Sequence, residues 1–305
     1  MDQPPPAFSW TPDPASGIRL ALVEANGLTF ELAECDAADG GTDRLALCLH
    51  GFPELNYSWR FQMPLLAARG WRVWAPNLRG YGASSKPPHR RDYAIPRLLE
   101  DVAALIDLSG AKEVMLVAHD WGAIVAWMFA IRRIRPLSKL VIMNVPHPLC
   151  GRREIRTWKQ LKKSWYIFFF QLPWLPEVGL IRNDAARIKR AFTGMAIDKS
   201  GFPPEVTQVY ANAAQRPGAI GAMLNYYRAL LRDFDFADVG DGEVDVPTLM
   251  IWGEEDSALG IESTHGTEAY VADFELHTLP GVSHWVQQEA PEQVNAILSD
   301  WLDRR

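Results

Sequence analysis

The sequence predicts an α/β fold: a mostly parallel central sheet, helices on both faces, and a helical cap inserted between strands. Three observations carry this. Short β-rich runs alternate with helix-spaced stretches over residues 19–144, residues 146–241 hold helix-like segments and no convincing strand, and the alternation returns over 246–302. Strands separated by helices of this length lie parallel, and the crossover helices cover both sheet faces.

Taken in order, residues 19–24 and 28–34 flank Asn26-Gly27, a two-residue hairpin turn. Residues 45–49 and 71–75 are the next strands. Between them, residues 59–68 have helical spacing and stop at Gly70. Residues 97–108 repeat the pattern and stop at Gly110. A buried strand over 113–117, an apolar helix over 122–133 and a strand over 140–144 follow. Beyond the cap come strands at 246–252 and 274–278 and a closing helix at 291–302. The expected organisation is a loose, proline-rich arm over 1–16, a core over 17–145 and 242–305, and the cap over 146–241.

Composition narrows the class. Hydrophobic residues make up 48% and charged residues 22%, which suits a globular protein and excludes a disordered chain. The net charge is −6 with both signs mixed, and no basic stripe dominates, so nucleic acid is not an expected partner. The run Arg152, Arg153, Arg156, Lys159, Lys162, Lys163 reads as the wet face of a helix. The three cysteines, Cys35, Cys48 and Cys150, have no metal-ligand spacing and suit a reducing cytoplasm. No signal peptide is expected, because the first 17 residues lack a basic start and an apolar core. Residues 114–131 are apolar enough to suggest a membrane span, but Asp120 near their middle would cost about 2.5–3.5 kcal/mol there. A buried strand, a tight turn and a buried helix explain the run without that cost.

The turn itself, Ala118-His119-Asp120-Trp121-Gly122, has small residues two before and two after its centre. That is the pattern of a nucleophile elbow between strand and helix, with Ala118 in place of the first glycine. The central residue is Asp rather than Ser. A carboxylate attacks amides poorly but can displace a leaving group from saturated carbon, leaving an ester on the enzyme. Esterase and peptidase chemistry therefore falls away. Taken alone, Asp120 reads better as a helix N-cap.

Two later segments supply partners in the order nucleophile, acid, histidine. Asp256 follows the strand at 246–252, with Glu254 and Glu255 as nearby rivals, and His284 lies in a loop after the last strand. Asp256 would hold the imidazole in one tautomer and leave its other nitrogen free to take a proton from water. His50-Gly51-Phe52-Pro53-Glu54 follows the strand at 45–49, so the Phe52 and Trp121 N–H groups could form an oxyanion hole. Arg79-Gly80-Tyr81-Gly82 lacks dinucleotide-binding spacing and reads as a structural turn.

The segments His50–Glu54, His119–Gly122, Leu224-Asn225-Tyr226-Tyr227-Arg228 and His284-Trp285 resemble those of the epoxide hydrolases of the α/β-hydrolase superfamily. The likeness runs from about Gly17 to the end. It implies an α/β-hydrolase fold and two cap tyrosines that donate to the epoxide oxygen. These matches, together with Ser164–Pro173, which is similar to that family's first cap-tyrosine segment, put them at Tyr166 and Tyr227, with Tyr226 adjacent, in a cap crowded by Trp165, Phe168, Phe169, Phe170 and Trp174. The implied reaction turns a small apolar epoxide and water into a vicinal diol, with no metal or organic cofactor. Rival readings are a haloalkane-type dehalogenase, whose family typically has Asn where Phe52 stands, and a non-enzymatic receptor on the same fold. A second copy of the chain stays open as a partner.

Overall fold

A computed structural model describes residues 8–305; residues 1–7, the first part of the expected arm, lie outside the described residues. The rest of the arm is tied down rather than loose. Ser9 N–H and Oγ both donate to Glu31 at 2.6 Å, and Trp10 Nε1 donates to Asn56 at 2.8 Å.

Eight strands form one sheet: β1 (Arg19–Ala25), β2 (Leu28–Cys35), β3 (Arg44–Leu49), β4 (Arg72–Pro76), β5 (Glu113–His119), β6 (Lys139–Met143), β7 (Thr248–Gly253) and β8 (Phe274–Leu279). Their order is β1-β2-β4-β3-β5-β6-β7-β8. The Asn26-Gly27 turn joins β1 and β2 as an antiparallel hairpin, β2 meets β4 antiparallel, and every later pairing is parallel. β3, β5 and β6 are buried almost end to end, which explains their unbroken apolar runs: helices cover a parallel sheet on both faces.

The helices of the first half are α1 (Gln62–Ala68), α2 (Ile95–Ser109) and α3 (Trp121–Ile131). The stretch expected as one helix from residue 59 instead opens with a 3-10 turn at Asn56–Trp59 before α1 begins. Between β6 and β7 the regular elements are all helical: α4 (Pro148–Glu154), α5 (Trp158–Lys163), α6 (Trp165–Phe169), α7 (Leu175–Met195), α8 (Pro204–Ala214) and α9 (Ala219–Asp233). α7 is broken at Arg182–Ala185, where the backbone leaves helical geometry. α10 (Val286–Glu289) and α11 (Pro291–Asp303) close the chain. No helix among the described residues is long and apolar enough to cross a membrane.

A buried ion pair fixes the connection after β4. Arg79 grips Asp101 on α2 through two 2.5 Å hydrogen bonds, and the Arg79 carbonyl accepts from Tyr226 on α9 at 2.8 Å. The Arg79–Gly82 turn thus clamps the cap onto the core. Because β3, β5, β7 and β8 run parallel, the loops that follow them gather along one sheet edge, where ligands bind in such folds.

Candidate active site

Asp120 sits where β5 turns into α3, with φ 46° and ψ −121°. That backbone is rare for a residue with a side chain, and it lifts the carboxyl group out over the sheet edge. Two glycines make room. A Cβ on Gly51 would fall inside the Asp120 carboxyl group, and one on Gly122 would collide with the Leu49 carbonyl. The small flanks seen in the sequence therefore reflect close backbone approach.

Around Asp120, Phe52 N–H donates to Oδ1 at 2.6 Å, and His284 Nε2 lies 3.7 Å from Oδ2. On the far side of the ring, His284 Nδ1 is 2.7 Å from Asp256 Oδ2. Asp256 is itself held: Asn144 donates to Oδ2 at 2.7 Å, and the N–H groups of Ala258 and Leu259 donate to Oδ1. Glu254 and Glu255, the rival acids, are exposed, whereas Asp256 is buried.

The electrostatics follow from burial and pairing. Burial works against a charge on His284, yet Asp256 and then Asp120 overcome it and push its pKa up to about 10. Burial would raise both carboxyls, but His284 reverses this and holds Asp120 and Asp256 below their ordinary values. Asn144 assists at Asp256, and Phe52 N–H at Asp120.

Above Asp120 is a cavity of about 270 Å³ whose lining includes Phe52, Tyr166, Phe170, Tyr227, His284 and Trp285. The Tyr166 and Tyr227 rings are 5.9 Å apart, and burial raises both phenol pKa values, with the Asp120 charge adding to the effect. Tyr226 does not line the cavity; its hydroxyl is spent on Arg79. The pair of adjacent tyrosines is thus divided by helix face. Trp121 packs edge-on against Tyr227 at 5.0 Å, and its N–H, in the first turn of α3, has no acceptor within the helix. Not all the cap aromatics pack inward: Trp165, Phe168 and Trp174 are largely exposed.

Sequence reasoning assigned no role to Glu54, His119 or Asn144. Glu54 is fully buried and accepts from Gly51 N–H, His119 Nδ1, Gln287 and Gln288. Burial would raise its pKa, but the charge and hydrogen bond of His119 outweigh that and lower it. His119 Nε2 lies 2.9 Å from the His284 carbonyl. The available signal was a Glu and a His inside otherwise apolar motifs, since such groups are buried only with partners.

A mostly parallel sheet with Asp120 on a tight strand-to-helix turn, and Asp256 and His284 beside it at the same edge, has the layout of an α/β hydrolase. The family model described as alpha/beta hydrolase fold matches residues 47–291. Epoxide hydrolase 4 of Homo sapiens is 35% identical over 308 residues, covering 99% of this chain and 82% of the human protein. Epoxide hydrolase 3 of Xenopus tropicalis is 36% identical over 312 residues, covering 97% of this chain and 83% of the frog protein. The crystal structure of Bacillus megaterium epoxide hydrolase in complex with an inhibitor has a TM-score of 0.83 at 30% identity, covering 93% of this chain and 100% of that one. The chain belongs to the epoxide hydrolase family of the α/β-hydrolase superfamily.

Proposed function

We propose that the chain converts a small apolar epoxide and water into a vicinal diol through a covalent ester on Asp120. The observation that carries this is a carboxylate facing two phenols across an apolar cavity, with a paired imidazole at its side.

Asp120 attacks one ring carbon from the face opposite the breaking C–O bond. The electron pair of that bond moves onto the epoxide oxygen, which takes a proton from Tyr166 or Tyr227. Their raised pKa values keep both phenols protonated at neutral pH, so a donor is always in place. Esterification also removes the Asp120 charge that helps keep His284 protonated, so the imidazole gives up its proton more readily and has a free nitrogen for the second half-reaction. His284, oriented by Asp256, takes a proton from water as the water oxygen adds to the Asp120 carboxyl carbon. The N–H groups of Phe52 and Trp121 stabilise the oxyanion. Collapse expels the diol oxygen, which takes the proton held by His284, and the carboxyl proton that came with the added water returns to the tyrosinate, restoring the Asp120 carboxylate and the phenol. No metal or organic cofactor takes part, and a cytoplasmic setting suits the three free cysteines.

A single turnover in oxygen-18 water tests the reading. Label is expected in the carboxylate of the peptide containing Asp120; label in the diol alone would mean direct attack by water. Chloride release from a chloroalkane, with no diol from styrene oxide, would move the chain to dehalogenation.

A further inference from the structure

Outside the cavity, the cap carries a groove of about 580 Å³ lined by Phe169, Leu175, Val178, Arg182, Arg187 and Arg190, among others. An adjoining groove of about 410 Å³ shares Phe169 and Arg187 with it, and shares Trp165, Tyr166, Phe170 and Arg187 with the cavity above Asp120. A continuous path of lining residues thus joins the cap surface to Asp120.

That surface is unusually apolar. Trp165 is 63% exposed, Phe168 56% and Trp174 69%, and Leu172, Leu175 and Val178 are exposed beside them. Single exposed apolar side chains are ordinary, but a cluster of this kind marks an interaction surface. Its charge is equally uneven. Residues 156–190 hold eight Lys and Arg against two Asp and Glu, in a chain whose net charge is −6. Both acids are occupied: Glu177 pairs with Arg228 at 2.7 Å, and Asp184 with Lys189 at 2.5 Å. The Arg182, Arg187 and Arg190 side chains make no hydrogen bond or ion pair to another described residue.

We propose that this face of the cap docks on an anionic lipid surface. Trp165, Phe168, Leu172, Trp174 and Leu175 enter the interface, while Arg182, Arg187 and Arg190 meet the lipid phosphates. Aromatic rings settle at headgroup depth, and basic side chains are drawn to negatively charged leaflets. A second copy of the chain fits less well, because a two-fold contact would set this basic face against itself. Docking turns the mouth of the cavity toward the lipid, so an apolar molecule could enter without crossing water. That advantage rests on the epoxide reading; the docking itself does not.

Cosedimentation of the full chain with vesicles tests the proposal. At low ionic strength, phosphatidylcholine vesicles containing phosphatidylglycerol should capture the chain at least about ten-fold better than phosphatidylcholine alone, and high salt should release it. Trp174→Glu and the double variant R182E/R190E should each weaken capture by at least about ten-fold. None of these three residues lines the cavity above Asp120, so thermal melts and diol formation in lipid-free buffer should match the wild type. No capture of the wild type, equal capture by neutral vesicles, or full capture of both variants would overturn it. So would a dimer that Trp174→Glu splits while anionic vesicles capture nothing. Vesicle capture without any diol formation would leave the docking intact and remove only the epoxide reading.

Discussion

Glu54 Oε2 and His119 Nδ1 lie 2.7 Å apart, both fully buried, directly beneath Asp120 and His284. Glu54 has donors on both oxygens, and His119 passes the contact on to the His284 backbone. Glu54→Gln would turn an amide N–H₂ toward one of those donors, at a cost of about 1–3 kcal/mol. Turnover should fall roughly 10- to 100-fold while KM changes little, as expected of a positioning residue. Steady-state kinetics across a substrate series check this. Lost heat resistance with unchanged turnover would make the pair structural only.

Asp120→Ala should abolish diol formation, with a loss of at least about 10³-fold. His284→Gln should still allow ring opening but not ester hydrolysis. Intact-protein mass spectrometry of that variant should find an adduct heavier by one substrate molecule, and its absence would sever His284 from the second step.

The two neighbouring tyrosines should behave differently. Tyr227→Phe removes a cavity hydroxyl and should lower the rate of ester formation by about 10²-fold, within the range of general-acid contributions. Tyr226→Phe removes only the bond to the Arg79 carbonyl and should cost about 1 kcal/mol of stability with near-normal chemistry. Stopped-flow traces and denaturant midpoints separate the two. A reversed pattern would exchange their roles.

Stability should depend on pH through His284. Its pKa rises from 6.5 to about 10 on folding, so the stabilisation is complete below about pH 6.5 and lost as pH climbs through 10. Asp120 and Asp256 move the other way, and their contributions vanish in acid below 3.8. Melting temperatures of the wild type and His284→Gln should therefore converge between pH 7 and 10. A constant gap over that range would refute the coupling.

Asp101→Ala would strand Arg79, whose side chain is 5% exposed, and should destabilise the protein by about 3–5 kcal/mol. Urea unfolding measures this. A loss under about 1 kcal/mol would mean that water reaches Arg79 freely.

Much of this architecture was legible because its signals are local. The strands are continuous apolar runs, and Ala118 and Gly122 announce the tight turn between them. The division between Tyr226 and Tyr227 was not legible: one residue of helix rotates a side chain by about 100°, and only packing decides which face sees the cavity. Glu54 escaped notice for a different reason. Its amide donors, Gln287 and Gln288, are more than 230 positions away, so a Glu in an apolar motif hints at burial while the partners that hold it stay out of sight. The outward turn of Trp165 and Trp174 was equally hidden, since aromatic content alone reads as core.

The positive φ at Asp120 sets heat resistance against activity. A side chain held there costs roughly 1–3 kcal/mol, which a glycine would recover. Relieving that backbone would thus remove the carboxylate on which the proposed reaction depends, and any stabilisation programme has to hold this one position constant.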